Sequence, residues 1–466
     1  MDWLESPSML GAWRENPGPL YAALASALQG LLLRGELLPG DRLPPERRLA
    51  EQLGLSRSTV VAAYARLAEG GWVGARQGQG TTVLAGPPGH VAAGRHRTAM
   101  GSPVLARRPA QRADWVDFSL ATAVPDLAWL TPSEATQRLV LRESAYQPEG
   151  LLALRERIAA RYSRQGLPTT PEQILVCAGA QQAISLVAQH FLGPGDRVLL
   201  EDPNYFGAID VLRSSGAHLQ GIAVQPRATH ANAFIEALER NRPKLAYVCP
   251  GLHNPTGQSW SASASHRLGR AVARSGTLLL VDDSLSELCF TAVPPPLPAA
   301  PGTAIVHVGS LSKTLWAGLR VGWLRAPPAI MEALRRTKTC ADIASSSLTG
   351  AIACDLFDRL DALIEPRRNT LQTQCQVLLR AIGEQLPGWR VRAPDGGLFL
   401  WAKLPAHGPR ASTLTRAAER AGVRLTPGTA LTLGPDGENF VRLAFTQTSA
   451  LALEGVRRLA SLDPPD

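Results

Sequence analysis

The sequence predicts an α/β chain of two domains, a small helical module at the N-terminus and a large domain on a mainly parallel sheet, and three observations carry that reading. The first is size: 466 residues exceed one ordinary domain, and 45% hydrophobic against 19% charged residues leave ample apolar surface for packed cores. The second is a break in pattern. Leucines at helical spacing run to about residue 84, a Gly-, Pro- and Arg-rich stretch follows, and short apolar runs alternating with helical segments begin after it. The third is a set of polar residues at the ends of those apolar runs, where ligands gather in parallel sheets. These features set boundaries at 17–85 for the small module, 86–114 for a connector and 115–461 for the large domain.

In the small module, Leu20, Leu24, Leu28, Leu31 and Leu32 mark an amphipathic helix from Pro19 to Arg34. Pro39-Gly40-Asp41 is a turn, and Pro44-Pro45-Glu46 opens a second helix with proline and an acid in its first turn. Gly54 ends that helix and Ser56 caps a third, from Arg57 to Ala68, with Val60, Tyr64 and Leu67 on its inner face. The junction Leu53-Gly54-Leu55 makes this pair a helix-turn-helix. The β-prone runs Trp72 to Arg76 and Thr81 to Leu84, around Gln77-Gly78-Gln79-Gly80, add a hairpin. Together these elements read as a winged helix, whose third helix enters the major groove with Arg57, Ser58 and Thr59 leading.

Charge supports a polyanionic partner. The formal net charge is +9, and the first 114 residues contain arginine but no lysine, which suits bidentate contacts to phosphate and guanine. The connector carries Arg95, Arg97, Arg107, Arg108 and Arg112 against the lone acid Asp114. Its composition predicts flexibility, with charge that either attracts DNA phosphates or simply solubilises. The cysteines at 177, 249, 289, 340, 354 and 375 form no CxxC pair and read as reduced core residues, with no metal site expected. No apolar run reaches the roughly eighteen residues of a membrane span, and Met1 to Gly11 lacks the order of a signal peptide. A cytoplasmic protein without a membrane partner is expected.

The segments Leu43-Pro44-Pro45-Glu46-Arg47, Ser56-Arg57-Ser58-Thr59-Val60, Tyr64-Ala65-Arg66-Leu67 and Gln77-Gly78-Gln79-Gly80-Thr81 resemble the DNA-binding domain of GntR-family transcriptional regulators. The resemblance implies a double-stranded DNA operator as partner, contacted by Arg47, Arg57, Ser58, Thr59 and Gly78.

In the large domain, Ile174 to Cys177, Arg197 to Leu200, Leu245 to Cys249, Thr277 to Val281 and Ala304 to Val308 each read as a buried strand. After the first come Ala178-Gly179-Ala180-Gln181-Gln182 and a helix from Ala183 to Phe191, a turn and helix start suited to a phosphate. After the second, Tyr205 either stacks on an aromatic ring or packs in the core. The third leads to His253-Asn254-Pro255-Thr256-Gly257, where Asn254 is either a donor to a phenolate oxygen or a plain turn residue. The fourth ends at Asp282 and Asp283, which either cap a helix or supply a buried carboxylate paired with a protonated pyridine nitrogen.

The fifth strand leads into Gly309 to Trp323, which sets Lys313, Ser310, Ser312 and Arg320 among apolar and glycine positions. A desolvated lysine has its ammonium form disfavoured and can form a Schiff base, while hydroxyls and a guanidinium bind phosphate oxygens. Pyridoxal 5'-phosphate meets both demands.

Asn254-Pro255-Thr256-Gly257, Ser310-Leu311-Ser312-Lys313, Gly318-Leu319-Arg320-Val321-Gly322 and Val441-Arg442-Leu443-Ala444-Phe445 resemble the fold-type I, class I aminotransferases, over residues from about 115 to 461. The resemblance implies that Lys313 carries the cofactor as a Schiff base, Asp282 pairs with its pyridine nitrogen, Asn254 contacts the ring O3′ and Tyr205 stacks on the ring. It implies that Gly179, Ala180, Gln181, Ser310, Ser312 and Arg320 hold the phosphate, and that Tyr146 reaches the phosphate of a partner subunit. Arg442 is then the fork for a substrate or effector carboxylate. Related regulators carry a tyrosine two residues after the ring aspartate; Ser284 stands there.

The two modules in series resemble the MocR subfamily of GntR regulators. That resemblance implies a homodimeric, pyridoxal phosphate-dependent transcriptional regulator that senses an amino compound or the cofactor itself. The competing reading is a working aminotransferase with a DNA-binding appendage. Lys313 leaves a half-reaction open to the chain, whereas a DNA reader has no evident use in steady turnover.

Overall fold

Three helices and a hairpin make up the N-terminal unit: α1 (Leu20–Leu33), α2 (Glu46–Leu53), α3 (Arg57–Glu69), β1 (Val73–Arg76) and β2 (Gly80–Val83). In this computed structural model the described residues are 13–15, 18–33, 43–76, 80–84, 115–121, 129, 131–142, 146–224, 227–298 and 302–462. The chain divides into two units, Met1–Met100 and Gly101–Asp466. The connector 86–114 and Gly78 lie outside the described residues.

The helix ends follow from local chemistry. The Ser56 side chain accepts the Thr59 N–H at 3.1 Å, satisfying a donor at the start of α3 that has no partner within the helix. Gly54 closes α2 at φ 61°, a left-handed cap that costs glycine nothing. Leu24, Leu28 and Leu31 of α1 meet Leu49, Val60, Leu67 and Val73 in one core. The buried Tyr64 hydroxyl donates to the Pro44 carbonyl at 2.9 Å, fixing the entry to α2. The hairpin runs in register from Val73 opposite Val83 to Arg76 opposite Gly80.

The second unit begins with β3 (Val116–Asp117). Its main sheet holds β4 (Ile174–Cys177), β5 (Arg197–Asp202), β6 (His218–Ala223), β7 (Leu245–Val248), β8 (Leu278–Asp282), β9 (Ile305–Ser310) and β10 (Gly322–Arg325) in the order β4-β10-β9-β8-β7-β5-β6. All pairings are parallel except those of β10, which runs against both β9 and β4. All five strands read from the sequence are present, so their carboxyl ends share one edge. Two further strands, the edge strand β6 and the reversed β10, were not foreseen.

Both faces of the sheet are covered. Leu175, Leu200, Leu280 and Val306 pack beneath Ile184 and Val187, whereas Val248, Leu279 and Val281 pack against Phe234 and Leu268. A strand buried on both faces reads as an unbroken apolar run, which is why these strands were visible in the sequence. A second, antiparallel sheet follows, from β11 (Arg390–Val391), β12 (Phe399–Lys403), β14 (Thr426–Pro427) and β15 (Phe440–Ala444), in the order β11-β12-β15-β14. Beside it, β13 (Val423–Arg424) pairs in parallel with β3. Helices Leu360–Gln385 and Ser449–Ala460 back this second sheet.

Five of the six cysteines are buried, but Cys340 is exposed, because it falls on the outer side of helix Pro328–Asp342; the reading of all six as core residues is corrected there. Among the described residues, no helix is long and apolar enough to cross a membrane and no group of His, Cys, Asp and Glu could hold a metal.

Ser56→Ala removes the α3 cap and is expected to cost about 1 kcal/mol. In the full chain, hydrogen exchange should speed up selectively at the first-turn amides of α3 and leave the main sheet unchanged.

Candidate functional site

A cavity of about 150 Å³ lies at the carboxyl edge of the main sheet. Its walls include Ala180, Gln181, Tyr205, Asn254, Asp282, Ser310, Ser312, Lys313 and Arg320. Five separate strand ends thus deliver the residues that the sequence singled out. Gly179, Arg442 and Tyr146 are not among its walls, and Tyr146 is 75% exposed on the surface of its own chain.

Lys313 sits on the one-turn helix Leu311–Thr314, which the end of β9 starts. Its Nζ donates to the Ala121 carbonyl at 3.2 Å, and Arg367 donates to the Lys313 carbonyl at 3.1 Å. Burial, with the guanidinium charges of Arg442, Arg367 and Arg320, lowers the lysine from 10.5 to about 8. Lys313 is therefore far easier to deprotonate than a surface lysine.

One corner is built for a phosphate. Helix Ala180–Phe191 starts directly behind Gly179, three residues earlier than expected from the sequence, so Ala180 and Gln181 belong to its first turn and present N–H groups with no intrahelical partner. No side chain caps that helix start, which left the sequence without a start signal. Gly179 has φ 87°, and a Cβ there would stand 3.0 Å from the Arg320 guanidinium. Arg320 is itself left-handed at φ 51°, and its Nη2 donates to the Ala178 carbonyl at 2.5 Å. The Ser310 hydroxyl donates to the Val321 carbonyl at 3.1 Å and accepts the Ser312 N–H at 3.1 Å, while the Ser312 hydroxyl has no partner. A free hydroxyl, helix N–H groups without intrahelical partners and a guanidinium, close to the bare backbone of Gly179, fit a phosphate dianion.

The opposite end is anionic. Asp282 Oδ1 accepts the Ser284 N–H at 2.9 Å, and Oδ2 accepts the Tyr247 hydroxyl at 2.6 Å. Burial raises the Asp282 carboxyl, and the hydrogen bonds from Tyr247 and Ser284 oppose that rise. Asp283 instead accepts from His307 Nδ1 at 2.7 Å, so the two adjacent acids have separate partners. Tyr247 was missed by the sequence reading; its place in a strand otherwise made of aliphatic residues was the available signal, but only the strand register sets it beside an acid. The Tyr205 hydroxyl is pushed up to about 12, mainly by burial and then by Asp282.

Arg442, on β15, is 1% exposed. It donates to Asn254 Oδ1 at 3.2 Å, to the Ser119 carbonyl at 2.9 Å and to Thr426 Oγ1 at 3.3 Å, with Phe399 stacked 4.0 Å from its face. Its Nε has no partner, and among the described residues its acceptors are an amide oxygen, a carbonyl and a hydroxyl rather than a carboxylate. Burial lowers its affinity for the proton, but a guanidinium stays charged at neutral pH. Because Asn254 Oδ1 is taken by Arg442, its NH₂ is left to donate toward the cavity.

In the N-terminal unit, Arg47, Arg57 and Ser58 are exposed and Thr59 is partly so. Arg57 lies 3.5 Å from Glu46 and Arg47 lies 3.3 Å from Glu51, exposed pairs that a DNA phosphate can displace at little cost. Ser56 Oγ is 2.9 Å from Ser58 Oγ and 2.7 Å from Thr59 Oγ1, which orders the leading turn of α3.

Residues 140–459 match the family described as aminotransferase class I and II, and residues 20–83 match the one described as bacterial regulatory proteins, gntR family. The 2-aminoadipate transaminase of Thermus thermophilus is 31% identical, covering 75% of this chain and 90% of its own length. The HTH-type transcriptional regulator TauR of Rhodobacter capsulatus is 30% identical across 89% of this chain and 90% of its own. The probable rhizopine catabolism regulatory protein MocR of Rhizobium meliloti is 28% identical across 90% and 88%. The crystal structure of LysN, the α-aminoadipate aminotransferase of Thermus thermophilus complexed with N-(5'-phosphopyridoxyl)-L-leucine, has a TM-score of 0.65 and 30% identity, covering 75% of this chain and 92% of that one.

Fold and site define a GntR-type DNA-binding domain fused to a fold-type I, pyridoxal phosphate-dependent domain. The chain belongs to the class I and II aminotransferase family and, with its N-terminal module, to the MocR subfamily of transcriptional regulators.

A lysine amine captures an aldehyde only in its neutral form, which the lowered Lys313 reaches near neutral pH. With apo protein and added pyridoxal phosphate, the attachment rate is expected to climb with pH and reach half its maximum near 8 rather than 10.5, followed by stopped-flow absorbance.

Proposed function

We propose that this regulator holds pyridoxal phosphate at Lys313 and converts the arrival of an amino compound bearing a carboxylate, or of the cofactor itself, into a change at its operator. The observation that carries the reading is Arg442, a guanidinium 1% exposed whose acceptors Asn254, Ser119 and Thr426 are all neutral and whose Nε is free. A buried cation without a counter-charge is costly, and an effector carboxylate supplies that charge in the fork geometry arginine favours.

Bound here, pyridoxal phosphate supplies an aldehyde that amines capture and a ring that withdraws electrons. Gly179, Ala180 and Gln181 offer the helix N–H groups to its phosphate, Ser312 and Arg320 add a hydroxyl and a cation, and Ser310 orders the turn beneath them. Asp282 pairs with the ring nitrogen, Asn254 donates to O3′ and Tyr205 covers one ring face. Lys313 would hold the cofactor aldehyde through its buried amine. Tyr146, exposed on its own chain, reaches the partner's site in a homodimer.

On the DNA side, Arg57, Ser58 and Thr59 read base edges while Arg47, from α2, and Gly78, from the wing, contact the backbone. The protein works in the cytoplasm, where operator and free amino compounds are both at hand.

Purified protein is expected to be yellow, and Lys313→Ala colourless. Arg442→Gln should keep the colour but lose about two orders of magnitude in apparent affinity for amino acids, with little change for the matching decarboxylated amines. An equal loss for both ligand sets would remove the carboxylate assignment, and steady keto-acid production over many turnovers would favour the enzyme. Arg57→Ala should weaken operator binding by about tenfold or more with an unaltered absorption spectrum, measured by fluorescence anisotropy at fixed salt.

A further inference from the structure

Tyr247 is the only phenol in β7, and it is completely buried. In the parallel pairing of β7 with β8, Tyr247 stands opposite Leu280. Asp282 is two residues beyond Leu280 and therefore on the same face of the sheet. The strand register alone thus brings phenol and carboxylate together, on the apolar face that also holds Leu200, Leu280 and Val306. The resulting contact, Tyr247 hydroxyl to Asp282 Oδ2 at 2.6 Å, is a short charge-assisted hydrogen bond.

We infer that Tyr247 is a positioning residue that keeps Asp282 ionised and oriented for the cofactor's ring nitrogen; the inference rests on the assignment of Asp282 to that nitrogen proposed above. A carboxylate at the floor of a cavity resists ionisation unless donors face it. Asp282 has two, the Ser284 N–H on Oδ1 and the Tyr247 hydroxyl on Oδ2, and each oxygen keeps a lone pair for a third donor. The backbone donor cannot be lost by substitution, so the phenol is the adjustable one. Tyr247 keeps its proton, because burial and the Asp282 charge both hold its pKa well above 10. The other titratable groups whose fields reach this carboxylate are Asp283, Cys249 and Tyr205. None of these three is a cation, and Lys313 and Arg320 line the same cavity without a hydrogen bond to either Asp282 oxygen, so the phenol is the side-chain donor on Oδ2.

Tyr247→Phe deletes the donor with little change of shape. Fluorescence titration of apo protein is expected to give pyridoxal phosphate affinity about tenfold weaker or worse, with the ratio to wild type growing as pH falls, because the unsupported carboxyl protonates at higher pH. The 1-deaza analogue, which has carbon in place of the ring nitrogen, should bind variant and wild type alike, and that result also demonstrates an intact fold. In an Asp282→Asn background, Tyr247→Phe should add nothing. Equal weakening of both ligands, or unchanged affinity for the natural cofactor, overturns the role of Tyr247. If Asp282→Asn itself leaves pyridoxal phosphate affinity unchanged, the fault lies instead in the assignment of Asp282.

Discussion

The larger unit is held to its working geometry by the buried guanidinium of Arg442. This one group, on β15, reaches Asn254 after β7, Ser119 just beyond β3 and Thr426 on β14. Each acceptor belongs to a different part of the unit, so the small antiparallel sheet, the segment that enters it and the large parallel sheet share a common anchor. The acceptors are neutral and engage only the two terminal nitrogens, which leaves the charge uncompensated and Nε without a partner. That combination is what a structural ion pair lacks and a receptor for a carboxylate needs.

Around that anchor the cavity is electrically divided. Arg442, Arg367 and Arg320 surround Lys313 and lower its hold on a proton, while Asp282 lies at the far end and Tyr247 and Ser284 support its charge. A ligand with an anionic phosphate at one end and a basic ring nitrogen at the other matches this polarity in one orientation only. The same arginines that attract anions also make the lysine nucleophilic, so binding and reactivity arise from one charge distribution.

Much of this was legible in the sequence because local rules and global packing agree there. Gly54 and Ser56 announce the helix-turn-helix by cap chemistry, and β4, β5, β7, β8 and β9 announce themselves as apolar runs because both faces of the sheet are covered. The cavity residues followed from position at strand ends. What escaped had no local signal. β6 is an edge strand with partly exposed residues, and β10 is four residues long directly after a left-handed arginine and a valine. The start of helix Ala180–Phe191 has no side-chain cap. Tyr247 acquires its meaning only through the register of β7 on β8; Arg442 was named from its motif, but its neutral partners Asn254, Ser119 and Thr426 come from segments brought together only by folding.

Gly322 opens β10 and lies against Gly179: a Cβ on Gly322 would fall 2.6 Å from the Gly179 carbonyl carbon. Two backbones there touch with no side chain between them. One carries the turn before the phosphate corner, and the other follows the lysine loop within ten residues of Lys313. The spacing between anion and amine is consequently gauged by bare main chain, a part with no rotamers to adjust. Side chains that line the cavity can change size and polarity, but the distance between its two ends is machined into the sheet.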